Sequence, residues 1–354
     1  MKILNVILTS VNGGAEKVFL DYCEVLQELG HEVFAVVKDD APYTKKLEEL
    51  GVKYHTTKNK FGYYDPFTIS NIKKAIKDLE IQATISHAGK ASILTRKAIK
   101  RSKKRIYECC VNHSNNVKRS IGADLIINVN KNIFYKTIDS GQDEDKSVII
   151  HNAIKVKEIA ARKIDFNKKE IVIGMMARLD RHKGFIEALD ALKILQDQGH
   201  HKFKLLIAGS GFFKESIEER IANNKLQDRV SFSGWIENPE DFFQKIDIFL
   251  FPSIKNETFG IVLLEAMQSH TPIICSDDFG PREVVRDQKD GLIAALDPID
   301  SFSQRISDKI LLLVANPEQA SQMTKNAHQR LLKRFSFDNL KMNLQGIFGP
   351  KKQL

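Results

Sequence analysis

Short apolar runs alternate with longer stretches of helical spacing from the first residues onward. Ile3 to Leu8, Val33 to Val37, Ala83 to Ser86, Arg105 to Val111, Leu125 to Val129 and Ser147 to Ile150 read as buried strands. Strands rich in valine and isoleucine, separated by helices, predict a parallel sheet with right-handed crossovers. Val18, Phe19, Tyr22, Val25, Leu26 and Leu29 fall on one face of a helix that starts at Glu16 and that Gly30 stops. The pattern then restarts, with strands expected at Ile171 to Met176, Lys204 to Ala208, Val230 to Ser233, Ile248 to Phe251, Pro272 to Ser276 and Gly291 to Ile293. Charged and irregular, Val156 to Lys169 reads as the linker between two α/β halves. Phe337, Leu340, Leu344 and Phe348 recur at helical spacing in a last stretch expected to cross back onto the first half. The expected division is residues 1–160, 161–335 and a terminal helix over 336–354.

A chain of 354 residues exceeds what one hydrophobic core usually organises, which agrees with two domains. Hydrophobic residues at 42% and charged residues at 28% describe a soluble globular protein, and no apolar run approaches the about 18 residues that span a bilayer. Met1 to Leu8 gives way to a polar, glycine-rich stretch without a small-residue cleavage site, so it reads as a first strand and not as a signal peptide. Cys23, Cys109, Cys110 and Cys275 have neither zinc-ligand spacing nor disulfide density and read as buried reduced thiols of a cytosolic protein. The net charge of +9 calls for an anionic partner. Seven of the ten residues from Arg96 to Arg105 are cationic, with no aromatics interleaved. No helix-turn-helix, zinc-finger or RNA-binding signature accompanies them, so nucleic acid is not the expected partner. An anionic membrane surface or an acidic acceptor is, and for a membrane the nearby loop Phe61-Gly62-Tyr63-Tyr64-Asp65-Pro66-Phe67 offers aromatics to the interface.

Wound sheets place ligand sites in the loops at the carboxyl ends of their strands. The segment from Asn256 to Met267 sets Glu257 and Glu265 eight residues apart across Gly260, which opens an apolar helix. The unpaired N–H groups of that helix suit a diphosphate, Glu257 is free to accept hydrogen bonds from sugar hydroxyls, and Glu265 from a ribose. After the first strand, Gly13 and Gly14 allow close backbone approach to a phosphate or sugar. The spacing there is not G-x-G-x-x-G, which disfavours a nicotinamide cofactor. Ala177 to Gly184 carries Arg178, able to clamp phosphate oxygens bidentately, and Lys183, a point charge. Gly209-Ser210-Gly211 is a further close-approach turn, and a Walker-type phosphate loop is absent.

Taken in order along nearly the whole chain, Gly13-Gly14-Ala15-Glu16, Arg178…Lys183-Gly184, Gly209-Ser210-Gly211, Glu257…Glu265 and Arg334-Phe335-Ser336-Phe337 resemble the retaining GT-B glycosyltransferases of family 4. The resemblance implies an α/β GT-B fold, two Rossmann-like doubly wound domains facing each other across a cleft. Residues 1–160 would form the acceptor side, 161–335 would hold a nucleotide-sugar donor, and 336–354 would be the crossing helix. It also implies that Arg178 and Lys183 neutralise the donor diphosphate, Glu257 holds donor-sugar hydroxyls and Glu265 the ribose. The backbone at Phe259, Gly260, Ile261 and Val262, and the turns at Gly13, Gly14 and Gly209, would approach the donor. His113 stands where family members place a histidine facing the donor sugar, and His87 is a second candidate, for lining the acceptor side. Such enzymes transfer by same-face attack with no obligatory metal or cofactor, cationic side chains taking the metal's place.

Two positions depart from the family pattern and bear on sugar preference: Asn152-Ala153, where Asn-Gly is usual, and Phe279-Gly280-Pro281, in a loop commonly richer in glycine. The expected function is hexosyl transfer from a nucleotide sugar, expected to be UDP-linked, to a lipid-linked, lipopolysaccharide or other surface-glycan acceptor at the cytoplasmic membrane face. Base contacts through backbone groups leave UDP and GDP both open. The competing reading is a noncatalytic GT-B protein that binds nucleotide sugars, against which the joint retention of His113, Arg178, Lys183 and Glu257 counts. A phosphorylase would need a lysine-bound pyridoxal phosphate, for which the sequence carries no signature.

Overall fold

The valine- and isoleucine-rich runs pair side by side into two sheets, both wholly parallel, in a computed structural model that describes residues 1–349. The first unit comprises Met1–Ala153 and the terminal helix Phe337–Phe348. Its strands are β1 (Lys2–Ile7), β2 (Glu32–Lys38), β3 (Lys53–Thr57), β4 (Ala83–His87), β5 (Tyr107–Asn112), β6 (Leu125–Asn128) and β7 (Ser147–Ile149). They lie in the order β3-β2-β1-β4-β5-β6-β7. The helices between them are α1 (Gly14–Glu28), α2 (Thr44–Glu49), α3 (Pro66–Asp78), α4 (Ala88–Ser102) and α5 (Lys131–Asp139). Connections leave β1 for one side of the sheet and β4 for the other, so a crevice opens at the carboxyl ends of these two strands. Ile7 pairs with His87 and His87 with Val111, which sets His87 on that edge.

The second unit, Ile154–Ser336, repeats the plan. Its strands β8 (Ile171–Met176), β9 (Phe203–Ala208), β10 (Val230–Gly234), β11 (Ile248–Phe251), β12 (Ile273–Ser276) and β13 (Leu292–Ala294) take the order β10-β9-β8-β11-β12-β13. The reversal falls between β8 and β11. Its helices are α6 (Phe185–Asp197), α7 (Lys214–Asn223), α8 (Pro239–Phe243), α9 (Ile261–Gln268), α10 (Phe279–Val284), α11 (Phe302–Ala315) and α12 (Pro317–Arg334). The last helix, α13 (Phe337–Phe348), belongs to the first unit, where Lys341 Nζ meets Glu28 Oε2 at 2.9 Å and Tyr107 packs edge-on to Phe348.

Several sequence expectations need adjusting. The supposed linker is part of the second unit: Phe166 is buried in its core, Val156 and Ile164 pack against it, the Lys157 amide donates to Gln268 Oε1 at 2.9 Å, and Arg162 donates to the Phe243 carbonyl at 2.8 Å. The chain passes between units at Ala153 and Ile154 instead. Strand β3 was absent from the expected series because Lys53-Tyr54-His55-Thr56-Thr57 is a largely exposed edge strand with little apolar signal. Helix α1 begins at Gly14, two residues earlier than read, with Gly13 as its extended N-cap. Nor is the basic run a uniform surface. Arg96 is structural, bound to Glu108 at 2.9 Å and donating to the carbonyls of Ser120 and Ile121. All four cysteines are free and buried, and burial pushes Cys23 and Cys110 up to about 12.

Asp65 caps α3, its carboxylate accepting from Thr68 N at 2.6 Å and Phe61 N at 2.9 Å. Burial alone would raise this carboxyl, but the amides of Phe61 and Thr68 outweigh it and hold it below its ordinary value. Asp65→Ala is expected to cost about 1 kcal/mol at neutral pH. With a depressed folded pKa, the contribution is present above the unfolded aspartate value of about 3.9 and is lost as pH falls through the folded value. Urea titrations of both proteins at pH 7 and at progressively lower pH measure it, and a gap that does not narrow would contradict a capping carboxylate.

Candidate active site

In the second unit the loops after β8, β9, β11 and β12 are knitted together at the carboxyl edge. Ile254 N donates to the His182 carbonyl at 2.9 Å, joining the loops after β8 and β11. Leu179 N donates to the Ser210 carbonyl at 2.9 Å, joining those after β8 and β9. Gly280 N donates to the Glu257 carbonyl at 3.0 Å, and Asp278 accepts from Glu257 N at 2.8 Å, so the loop after β12 braces the glutamate. A side chain at Gly280 would collide with the Glu257 carbonyl oxygen at 2.6 Å, which explains glycine there beside the exposed Phe279.

This bracing brings Lys183 and Glu257 together across 74 residues of chain, Nζ to Oε2 at 2.5 Å. Ser253 Oγ donates to the same carboxylate at 3.2 Å, and Lys183 Nζ lies 5.9 Å from the centre of the Phe251 ring. Both charged side chains are mostly covered, 26% exposed for Lys183 and 11% for Glu257. Their attraction is therefore screened less than that of a surface pair. Arg178 differs: its side chain is 65% exposed, with only a 3.4 Å contact to Asp180, and it is free to turn toward an anion. Asp180 meanwhile accepts from His182 N at 3.1 Å and starts the 3₁₀ turn Arg181–Lys183.

Gly260 is the N-cap of α9, with φ +86°, so the helix opens at Ile261. The side chain of Phe259 is buried against Phe335. Ile261, Val262 and Glu265 are half-buried on the first turns of α9. Gly209, at φ +130°, packs where a Cβ would meet the Ala177 carbonyl oxygen at 1.9 Å.

The first unit gathers different chemistry. Gly13 and Gly14 are exposed at the open end of α1. Across the crevice from them in strand order, His113 follows β5 and meets His87, with 2.9 Å between His87 Nδ1 and His113 Nε2. Burial lowers His113 to about 4, and burial together with His113 holds His87 well below its ordinary value, so both rings are neutral at pH 7. His87 is wholly buried beneath Phe19 and Tyr22 and cannot line an acceptor, which corrects the sequence expectation. Sequence reasoning also missed Asp278, which accepts from Glu257 N and carries no motif of its own. A recess of about 470 Å³ beside Met1, Lys2 and Gln82 lies at the amino edge of the first sheet, away from all of these loops.

Two wound parallel sheets, with a lysine–glutamate pair and an open helix end at the reversal point of the second, define a GT-B protein. Residues 156–330, most of the second unit, match the model of the family described as "Glycosyl transferases group 1", and the chain is a glycosyltransferase. The chain is 22% identical over 330 residues to the lipopolysaccharide core biosynthesis glycosyltransferase LpsE of Rhizobium meliloti, covering 92% of each protein. It is 30% identical over 149 residues to the O-antigen biosynthesis glycosyltransferase WclY of Escherichia coli, covering 42% of this chain and 37% of that one. The crystal structure of Anabaena Alr3699/HepE in complex with UDP and glucose shares the fold, with a TM-score of 0.84 at 19% identity, over 98% of this chain and 99% of that one.

Gly184 is the N-cap of α6, with φ +76°, and a Cβ there would sit 1.9 Å from the Pro252 carbonyl oxygen. Gly184→Ala is expected to cost about 2–3 kcal/mol, from strain at positive φ plus displacement of the β11 loop. A chemical-denaturation midpoint equal to that of the parent would show that the two loops do not make this contact.

Proposed function

We propose that the chain is a retaining, metal-independent hexosyltransferase of family 4, taking a UDP-linked sugar and delivering it to a lipid-linked, lipopolysaccharide or other surface-glycan acceptor. One observation carries the reading: Lys183 and Glu257 meet at 2.5 Å at the switch point of the second sheet, beside the open end of α9. A diphosphate needs fixed positive charge, and departure of the diphosphate needs that charge in place before the bond breaks. Lys183, the exposed Arg178 and the first amides of α9 supply it. Glu257 then has two tasks, orienting Lys183 and accepting hydrogen bonds from the sugar. Glu265 would hold the ribose, and the turns at Gly13, Gly14 and Gly209 would let backbone approach the donor. In the first unit, His113 would donate to the donor sugar. The names of LpsE and WclY support a surface-glycan acceptor, and the UDP and glucose in the HepE structure support the donor class.

The setting we propose is the inner face of the cytoplasmic membrane. Among the described residues no helix is long and apolar enough to cross a membrane. Phe61 and Tyr64 are exposed on the loop before α3 and Phe67 in its first turn, and Lys97 ties that loop to α4, with Nζ 3.1 Å from the Tyr63 carbonyl and 4.1 Å from the centre of the Tyr64 ring. Lys100, Arg101, Lys103, Lys104 and Arg105 are exposed at the end of the same helix. Aromatics beside cations suit an anionic lipid interface.

Incubation with a panel of UDP- and GDP-sugars, with and without EDTA, tests the chemistry. Donor-selective turnover is expected to survive EDTA and to fall at least about a hundredfold in both Glu257→Ala and Lys183→Ala. Folded protein that binds a nucleotide sugar but turns none over would instead favour a noncatalytic nucleotide-sugar-binding protein, and one that binds none would refute the donor assignment.

Sedimentation with phosphatidylglycerol vesicles tests the setting. Replacing Arg101, Lys103 and Lys104 by glutamate is expected to weaken binding at least about tenfold, and binding indifferent to both charge and salt would refute it.

A further inference from the structure

The His87–His113 contact has a geometry that specifies more than proximity. The ring centres are 5.1 Å apart and the ring planes differ by 18°. That separation is about the 2.9 Å nitrogen–nitrogen distance plus one ring radius at each end, so the imidazoles meet edge to edge in nearly one plane, as a hydrogen-bonded pair does. Only one of the two facing nitrogens of a neutral pair carries a proton.

The other nitrogen of His87 decides which. His87 Nε2 is buried with no hydrogen-bond partner among the described residues. A buried N–H without an acceptor is rarer and costlier than a buried lone pair, so Nε2 is the bare nitrogen and Nδ1 holds the proton. Phe19 and Tyr22 of α1 hold the His87 ring from the side, with centres at 5.6 and 5.3 Å, which prevents it from flipping to exchange the two nitrogens. No charged group opposes this assignment. Burial is the sole cause that lowers His113, burial and His113 lower His87, and the neighbouring Tyr22 and Cys109 are pushed up by burial and stay neutral.

We infer that His87 is a positioning residue for His113: its Nδ1–H donates to His113 Nε2 and fixes the His113 ring as the neutral tautomer with its proton on Nδ1. The inference rests on the reading of His113 as a donor-sugar contact. A ring locked this way offers the sugar a hydrogen-bond donor of defined direction from Nδ1, with no rotation or proton shift needed on binding. The arrangement is the imidazole counterpart of the outer partners that set the tautomer of metal-bound histidines.

Nitrogen-15 NMR of the imidazoles in the intact protein reads the tautomer directly, and wild-type His113 is expected to show a protonated Nδ1 and a bare Nε2 at pH 7. The opposite assignment in the wild type overturns the inference whether or not any variant folds. His87→Phe keeps an aromatic ring and removes the donor. It is expected to move His113 toward the Nε2-protonated form and to lower kcat roughly 10- to 100-fold with little change in donor KM. His87→Asn, whose amide nitrogen can take the place of Nδ1, is expected to restore the tautomer and most of kcat. His113→Ala separates the two claims. Unchanged transfer in that variant would overturn the role given to His113, whereas lost transfer there together with wild-type kcat in His87→Phe would overturn the positioning role alone.

Discussion

The constraint on which the second unit depends is the adjacency of β8 and β11, strands with 71 residues between Met176 and Ile248 but paired directly in the sheet. Parallel pairing makes both chains leave the sheet at the same edge, and the reversal of strand order sends them in opposite directions. The two loops meet where backbone passes close to backbone, at Ile254 N against the His182 carbonyl and at Gly184 against the Pro252 carbonyl. A side chain at that point would wedge them apart. Glycine there is therefore what allows Lys183, one residue earlier, to reach Glu257, five residues after Pro252.

Such a pair has a particular energetic character. Partial burial costs each charge some hydration, and mutual attraction together with the Ser253 hydroxyl offsets much of that cost. The gain to stability is accordingly modest. What the arrangement secures is an ammonium group held in one place with its countercharge on one side. An arriving diphosphate would meet a cation already stripped of much of its water, which strengthens the interaction at no further cost in side-chain order. Arg178, exposed and loosely held, is the opposite kind of cation, still hydrated and able to adapt.

Much of this was legible in sequence because the governing signals are local. Apolar runs marked twelve of the thirteen strands, and Gly260 between two glutamates marked the α9 site, since a helix start and a positive φ depend on nearby residues. Signals that depend on tertiary context were lost. Lys53 to Thr57 is a strand because β2 pairs with it, not because of its own pattern. Val156 to Lys169 looked like a linker by charge, yet Phe166 is buried and Arg162 reaches the Phe243 carbonyl. Arg96 looked like one cation in a surface run until Glu108, on the neighbouring strand, claimed it. His87 gave no hint of its partner, since nothing in a sequence states that β4 and β5 lie side by side.

The two units use one architecture to opposite electrostatic ends. At the reversal of the second sheet stand Lys183, Glu257 and Arg178, formal charges suited to a charged leaving group. At the reversal of the first stand a glycine turn and two imidazoles kept neutral by burial, hydrogen-bonding groups without net charge. A sugar presents hydroxyls, which neutral directional donors and acceptors can bond without a countercharge. A diphosphate presents two or more negative charges that neutral donors alone would bind weakly against water. The charged groups thus stand at the reversal of one sheet and the neutral ones at the reversal of the other. Because neutrality is set by burial within one unit and the ion pair by bracing loops within the other, neither arrangement depends on the other unit.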